Sequence, residues 1–510
     1  MYSKIISCGL YGIDGYIVEI ETDISSGIPA FDIVGLGDAA IREARERVRS
    51  AVKNSGYEFP LRRITMNMAP ANMKKEGSSF DLAIALGILA STGIIDDSGL
   101  RKAMFVGELS LDGEIKPVKG VLPMAVCALQ NGMKYMFLPE ANAREASVVK
   151  ELQIIPVRSL KETTDMIIGE AEIRFFSDNG GEGNTDCSDG VDFADVKGQE
   201  NVKRALEVAA SGGHNCLMLG SPGSGKTMLA RRLPTILPSM TFEESLEVTK
   251  IHSIAGILPA GVSLVKTRPF RSPHHTISDT GLVGGGSIPK PGEISLAHYG
   301  VLFLDELPEF SKRALESMRQ PLEDGVITIS RVNASLTYPA RTTLVCAANP
   351  CRCGYFLDPG GKCTCTPKQI QQYLGRLSGP LLDRMDIHIE VTPVKYNELD
   401  SSKPAESSAR IRERVERTRQ IQLERYRGMN IYSNSQLQPA MFSKYCRLDS
   451  KCRDILKNAF EKLGMSARAY SRILKVARTI ADMDMSESIR PVHLSEAIHY
   501  RSLDRKIWNM

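Results

Sequence analysis

Residues 220–227 read Gly220-Ser221-Pro222-Gly223-Ser224-Gly225-Lys226-Thr227, the complete G-x-x-x-x-G-K-[ST] spacing of a phosphate-binding loop. The apolar run Cys216-Leu217-Met218-Leu219 precedes it and predicts a buried strand. Met228-Leu229-Ala230-Arg231-Arg232-Leu233 follows and predicts a helix. A loop of this kind needs that order of strand, glycine turn and helix start. Glycines let successive backbone N–H groups converge on phosphate oxygens, and the helix N-terminus adds the positive end of its dipole. All eight residues are therefore expected at a nucleotide. Within the set, Lys226 is expected to reach the outer phosphates and the Thr227 hydroxyl to ligate Mg²⁺.

A second stretch turns binding into chemistry. Gly300-Val301-Leu302-Phe303-Leu304-Asp305-Glu306 predicts a buried strand that ends in two acids, expected on the strand next to that of the loop. Asp305 suits Mg²⁺ coordination through water, and Glu306 suits polarising an attacking water. Phosphoryl transfer needs both a metal and an aligned nucleophile. Thr343 to Ala348 predicts another buried strand, and it ends at Asn349, whose amide can touch a γ-phosphate or the attacking water.

The chain has 510 residues, which at roughly 150 per domain predicts about three domains. With 42% hydrophobic and 24% charged residues, it has the composition of a soluble globular protein. A formal net charge of only +4 excludes binding of nucleic acid by bulk charge, so any such contact must come from a local patch. No apolar run reaches the ~18 residues of a membrane span, and the first eight residues lack a signal-peptide pattern. The expected location is the cytoplasm, with no membrane partner. Four of the 11 cysteines crowd into residues 351–365, which suits a metal site in a reducing compartment better than a disulfide framework.

Residues 1–176 alternate strand and helix signals. Phe31 to Val34 predicts a strand, and Asp38 is placed to cap a helix from Ala39 to Asn54. A strand over Arg62 to Met68 and a buried helix over Phe80 to Leu89 follow. Met104 to Val118 predicts a hairpin around Asp112-Gly113, then comes a helix from Gly120 to Gly132 and a strand from Lys134 to Leu138. Lys75-Glu76-Gly77-Ser78-Ser79, the hairpin Gly107 to Ile115 and Lys119-Gly120-Val121-Leu122 resemble the proteolytic domain of Lon-type proteases. The resemblance implies an α+β, S5-like fold. In those enzymes a Ser–Lys pair does the work. Ser79 falls near the nucleophile's place and Leu122 at the lysine's, with Lys119 close enough to supply a base if the register slips. A serine hydroxyl without a base is a weak nucleophile, so the expectation is the fold without peptidase activity.

From 177 to 190 apolar residues vanish and Gly, Asn, Asp and Ser dominate, which predicts a flexible linker. Residues 191–392 are expected to form the nucleotide domain, and 393–510 a helical lid. Within the former, Arg268-Pro269-Phe270-Arg271-Ser272-Pro273-His274-His275, the glycine stretch Leu282 to Gly286, and Pro291 to His298 resemble the magnesium-chelatase-like AAA+ ATPases of the YifB/ComM type. The resemblance covers nearly the whole chain. It implies a P-loop NTPase core with a parallel sheet and C-terminal helices, working as a homo-oligomeric ring, a hexamer, on ATP and Mg²⁺. By the same resemblance, Arg384, in Gly379-Pro380-Leu381-Leu382-Asp383-Arg384, is the arginine lent to a neighbour's site, and Arg468 is the lid arginine that meets the γ-phosphate.

Two insertions bear on what such a motor would act on. One, from about His252 to Pro291, is rich in Gly and Pro and carries Lys266, Arg271 and His274. The other, Val326 to Ala340, alternates like a hairpin with Arg331 near its tip. In related ring motors both project toward the pore, which makes these four residues candidate DNA contacts. Cys351, Cys353, Cys363 and Cys365 form two close pairs joined by a glycine-rich loop, a set that predicts a tetrahedral structural Zn²⁺ site against the alternative of free thiols. Members of the family with an assigned role are hexameric DNA motors of branch migration in homologous recombination, notably in natural transformation. The leading expectation is therefore an ATP-hydrolysing branch-migration helicase on single-stranded or branched DNA. The alternatives are a chelatase-type motor acting on a partner protein and an ATP-dependent serine protease.

Overall fold

The computed structural model describes residues 1–35, 37–177, 190–259, 261–286, 289–331, 334–356, 360–377, 379–394, 398, 400, 405–429, 431–463 and 465–503. The chain divides into two compact units, Met1–Thr185 with Ser245–Val265, and Asp186–Glu244 with Lys266–Met510. This division differs from the boundaries expected from sequence at two places. Residues 245–265, inside the expected nucleotide domain, belong to the first unit, and the helices beyond 405 are not a compact unit of their own. Most of the expected linker, 178–189, lies outside the described residues.

The first unit is built on a seven-stranded mixed sheet. Its order is Ala30–Val34, Arg63–Ala69, Asp14–Ser25, Tyr2–Tyr11, Ala103–Phe105, Tyr135–Pro139 and Gln153–Val157. Alternation explains the strand Arg63–Ala69, where Ile64, Met66 and Met68 turn inward and their neighbours do not. Helices cover both faces. Ala39–Asn54 and Asp81–Ser91 pack over Ile5, Val18, Ile20, Met66 and Met68, while Val121–Gln130 packs over Cys8, Met104, Met136 and Ile154. The first of these helices starts as the sequence predicts, with the Asp38 carboxylate accepting from Ile41 N at 3.0 Å. Asp81–Ser91 is buried on nearly every side, as a helix without a polar face must be. The expected hairpin over 104–118 is reduced to two short pairs, Glu108↔Lys116 and Leu109↔Ile115, because Ala103–Phe105 is taken into the main sheet between Tyr2–Tyr11 and Tyr135–Pro139.

The second unit centres on a five-stranded, wholly parallel sheet. Its order is Phe270–Arg271, Val301–Leu304, Thr343–Ala348, Cys216–Gly220 and Ile387–Val391. The three strands Cys216–Gly220, Val301–Leu304 and Thr343–Ala348 are apolar nearly throughout, as a sheet covered on both faces requires. The order corrects one expectation. The acidic strand Val301–Leu304 is not beside the loop's strand, because Thr343–Ala348 lies between them. The C-terminal helices Ser408–Arg425, Ala467–Met483 and Pro491–His499 share a core with the sheet: Ile411, Val415, Ile473, Ala477 and Leu494 cluster with Val202, Leu206, Met218 and Val345. The last helix ends at His499. Val326–Arg331 and Ala334–Pro339 pair antiparallel from Val326↔Pro339 to Arg331↔Ala334, which makes the expected hairpin. In the first insertion the chain is less loop-like than its composition predicts. Phe270–Arg271 is the edge strand of the main sheet, and Asp279–Val283 is a short helix.

Candidate nucleotide site

In a parallel sheet the chain leaves every strand at the same edge, so Gly220, Asp305 and Asn349 come together there from three strands. Gly223 and Gly225, at φ +74° and +88°, take left-handed turns that a side chain would resist. Lys226 opens the helix Lys226–Ile236. Its Nζ is buried and donates to Gly220 O at 2.9 Å, Ser221 O at 3.0 Å and Asn349 Oδ1 at 3.2 Å. All three acceptors are uncharged. Burial holds the Lys226 pKa below its ordinary value, with the Asp305 charge opposing the shift. Thr227 Oγ1 donates to Asp305 Oδ2 at 2.6 Å. Ser224 Oγ is buried without a hydrogen-bond partner. This cradle therefore offers a cation, an unsatisfied hydroxyl and a helix N-terminus to an anion, with a Thr–Asp pair beside it that suits a hard divalent cation.

Glu306 follows directly. Its backbone is left-handed, at φ +52°, and its N–H donates to Asp305 Oδ1 at 2.9 Å. A non-glycine residue held there is strained, and such strain gathers at functional sites. His275 Nδ1 lies 3.2 Å from Glu306 Oε2, and the His274 and His275 rings are 4.1 Å apart. This contact with the acid pair is not among the sequence expectations. No sequence pattern marks it: the pairing of Phe270 with Val301 and Arg271 with Leu302 lets the segments that leave the two strands meet. Gln199 also borders the loop, its Nε2 donating to Ser224 O at 2.7 Å and Thr392 O at 3.1 Å.

The other candidates lie apart from this cluster or are engaged elsewhere. Arg384 is buried and pairs with Glu323, and burial holds its pKa below the usual arginine value. Arg468 is exposed on the first turn of Ala467–Met483, 3.2 Å from Asp383 Oδ2. Arg472, one turn on, is held by Asp386, which also accepts from Asn215 N and faces buried His214. Among the candidate DNA contacts, Lys266 and His274 are exposed. Arg271 is half-buried and clamped by both carboxylate oxygens of Glu293 at 2.7 and 2.8 Å, so its place on a sheet strand replaces the expected loop cation. The Arg331 side chain and the hairpin tip lie outside the described residues. A cavity of about 320 Å³ lined by Asp192, Thr235, Arg412 and Glu416 sits toward the far end of the Lys226–Ile236 helix and includes no residue of the loop.

Cys351, Cys353, Cys363 and Cys365 converge, all four sulfurs lying within 4.8 Å of one another. Cys351 Sγ is 3.3 Å from that of Cys353 and 3.8 Å from that of Cys363, and Cys353 is 3.6 Å from Cys363. A tetrahedral ion bound at about 2.3 Å spaces its sulfurs about 3.8 Å apart, so the set fits one zinc. In the first unit, Leu122 is fully buried. Buried Lys75 donates to Pro70 O, and Lys119 reaches toward Gly256. Among the described residues no hydrogen bond joins the Ser79 hydroxyl to a lysine.

Three family descriptions match consecutive parts of the chain. "Subunit ChlI of Mg-chelatase" matches residues 20–142, "Magnesium chelatase, subunit ChlI" residues 192–399, and "Magnesium chelatase, subunit ChlI C-terminal" residues 405–501. The competence protein ComM of Haemophilus influenzae is 44% identical over 505 residues, 98% of each chain. YifB of Escherichia coli is 42% identical over 501 residues, 97% of this chain and 96% of its own. A more distant similarity, 22% over 341 residues, covers 62% of this chain and 37% of the zygotic DNA replication licensing factor mcm6 of Xenopus tropicalis. With a phosphate loop and acid pair on a parallel five-stranded sheet, and 44% and 42% identity to ComM and YifB over nearly the full length, the chain belongs to the YifB/ComM type of magnesium-chelatase-like AAA+ proteins.

Proposed function

We propose that this protein is an ATP-hydrolysing ring motor, a homohexamer that remodels single-stranded or branched DNA in homologous recombination. The observation that carries the hydrolytic part is the meeting of Lys226, Thr227, Asp305 and Asn349 at one sheet edge, with Thr227 Oγ1 2.6 Å from Asp305 Oδ2. The DNA part is supported by the names of two relatives, a competence protein and a DNA replication licensing factor. Magnesium, when bound with ATP, supplies charge neutralisation between the outer phosphates. Lys226 exchanges neutral carbonyl acceptors for anionic oxygens. Thr227 and Asp305 hold the metal's side of the site, Glu306 accepts a proton from the attacking water, and Asn349 orients that water or a γ-oxygen. Arg384 reaches a neighbouring protomer's site on assembly, which requires it to leave Glu323, and Arg468 closes from the lid. The four cysteines hold a structural zinc.

The test is ATPase rate and oligomeric size, measured with single-stranded, duplex and branched DNA and without any. Turnover is expected to rise with DNA, most with branched forms, and the rise to fade as salt increases. No stimulation by any DNA, with no salt-dependent binding, overturns the DNA reading and favours a motor on a protein partner, the reading closest to the chelatase family descriptions. For the first unit we expect no peptidase activity: casein with ATP stays intact, and Ser79→Ala leaves ATP turnover unchanged. ATP-dependent cleavage lost in Ser79→Ala would restore the protease reading.

A further inference from the structure

Among the described residues no helix or strand runs between the end of Thr343–Ala348 and the start of Pro367–Leu374. This stretch nonetheless borders the nucleotide site at two points. Asn349, at its start, accepts from Lys226 at 3.2 Å. Gly354 turns left-handed at φ +87° and lies so near Pro222 of the phosphate loop that a methyl group on it would sit 2.4 Å from the proline Cδ. Two residues past the end of the helix that follows, Arg376 pairs at 3.0 Å with Glu309, three residues beyond Glu306. Among the described residues one backbone–backbone bond, Gly354 N to Cys351 O at 3.0 Å, closes the Gly354 corner, and backbone N–H groups of Gly354, Tyr355 and Phe356 also face the Cys351 and Cys353 sulfurs. Thiols are weak hydrogen-bonding groups and add little to it. The converging sulfurs offer a firmer means of fixing the corner, because a metal among them would do so with strong bonds.

We propose that zinc at Cys351, Cys353, Cys363 and Cys365 is coupled to nucleotide binding. By holding Gly354 against Pro222, the ion sets the phosphate loop in its binding shape. The inference rests on the zinc reading above and adds an energetic link between two sites. Linkage is reciprocal: if zinc strengthens ATP binding, bound ATP strengthens zinc retention by the same factor. Coupling of this kind spans roughly 5- to 150-fold, and about tenfold is expected here.

The experiment uses the full chain, purified without chelator, with zinc measured by elemental analysis and nucleotide binding by titration with a fluorescent ATP analogue. About one zinc per chain is expected. Stripping it with a zinc-selective chelator should weaken binding about tenfold. Zinc release from Glu306→Gln, which is expected to hold ATP without consuming it, should slow when ATP is present. Gly354→Ala guards against unfolding of the stripped protein, because it keeps all four sulfurs and pushes on Pro222. It should retain zinc and still bind nucleotide more weakly. Zinc far below one per chain overturns the site and the coupling together. A full zinc complement, with affinity unchanged both after stripping and in Gly354→Ala, overturns the coupling and leaves zinc as a local staple. If the untreated protein binds no nucleotide, the ATPase reading fails, and the coupling with it.

Discussion

Glu306→Gln is expected to bind ATP as the wild type does and to hydrolyse it about 10²- to 10⁴-fold more slowly, the usual contribution of a positioned general base. Glutamine keeps the size and one oxygen of the carboxylate but accepts no proton from the attacking water. Binding should survive because Glu306 adds nothing to the Lys226 cradle: the hydrogen bonds there are made by Gly220, Ser221 and Asn349, and the metal side by Thr227 and Asp305. Single-turnover hydrolysis beside equilibrium binding separates the two effects. Undiminished turnover in this variant would remove Glu306 from its role and leave its strained backbone, at φ +52°, without a purpose.

Lys226→Ala is expected to act on binding instead. A hydrogen bond to a charged group is worth about 1.5–3 kcal/mol, so nucleotide affinity should fall roughly 10- to 150-fold. In a melting experiment ATP should raise the wild-type midpoint and leave that of the variant nearly unmoved, since stabilisation by a ligand follows its affinity. The pH dependence has a definite sign. Burial lowers the Lys226 pKa from its ordinary 10.5, and the protonated form is the one that binds phosphate. Wild-type affinity should therefore fall on the alkaline side, beginning at a lower pH than for an exposed lysine. Lys226→Ala should lack that limb. An unchanged affinity would mean that triphosphate does not sit in this cradle.

What could be read from sequence followed the length of the signals. The phosphate loop, the acid pair and Asn349 each end a buried apolar run, and a parallel sheet brings such ends to one edge. The lateral order of strands leaves no trace in local periodicity, which is why Thr343–Ala348, and not the acidic strand, proves to be the loop strand's neighbour. Phe270–Arg271 is too short to show any period, so the sheet edge was hidden inside a stretch rich in Gly and Pro. The true settings of Arg271 and His275 were hidden with it. The Arg384–Glu323 pair joins residues 61 apart along the chain, and no spacing rule foretells it. Likewise nothing in composition marks 245–265 as part of the first unit.

The most direct test is steady-state phosphate release by the purified chain, given Mg²⁺ and ATP at assembling concentrations, with branched DNA present. Turnover is expected in the wild type and is expected to be lost in Glu306→Gln. A wild-type chain that binds ATP and assembles but releases no phosphate, with any DNA or none, would contradict it.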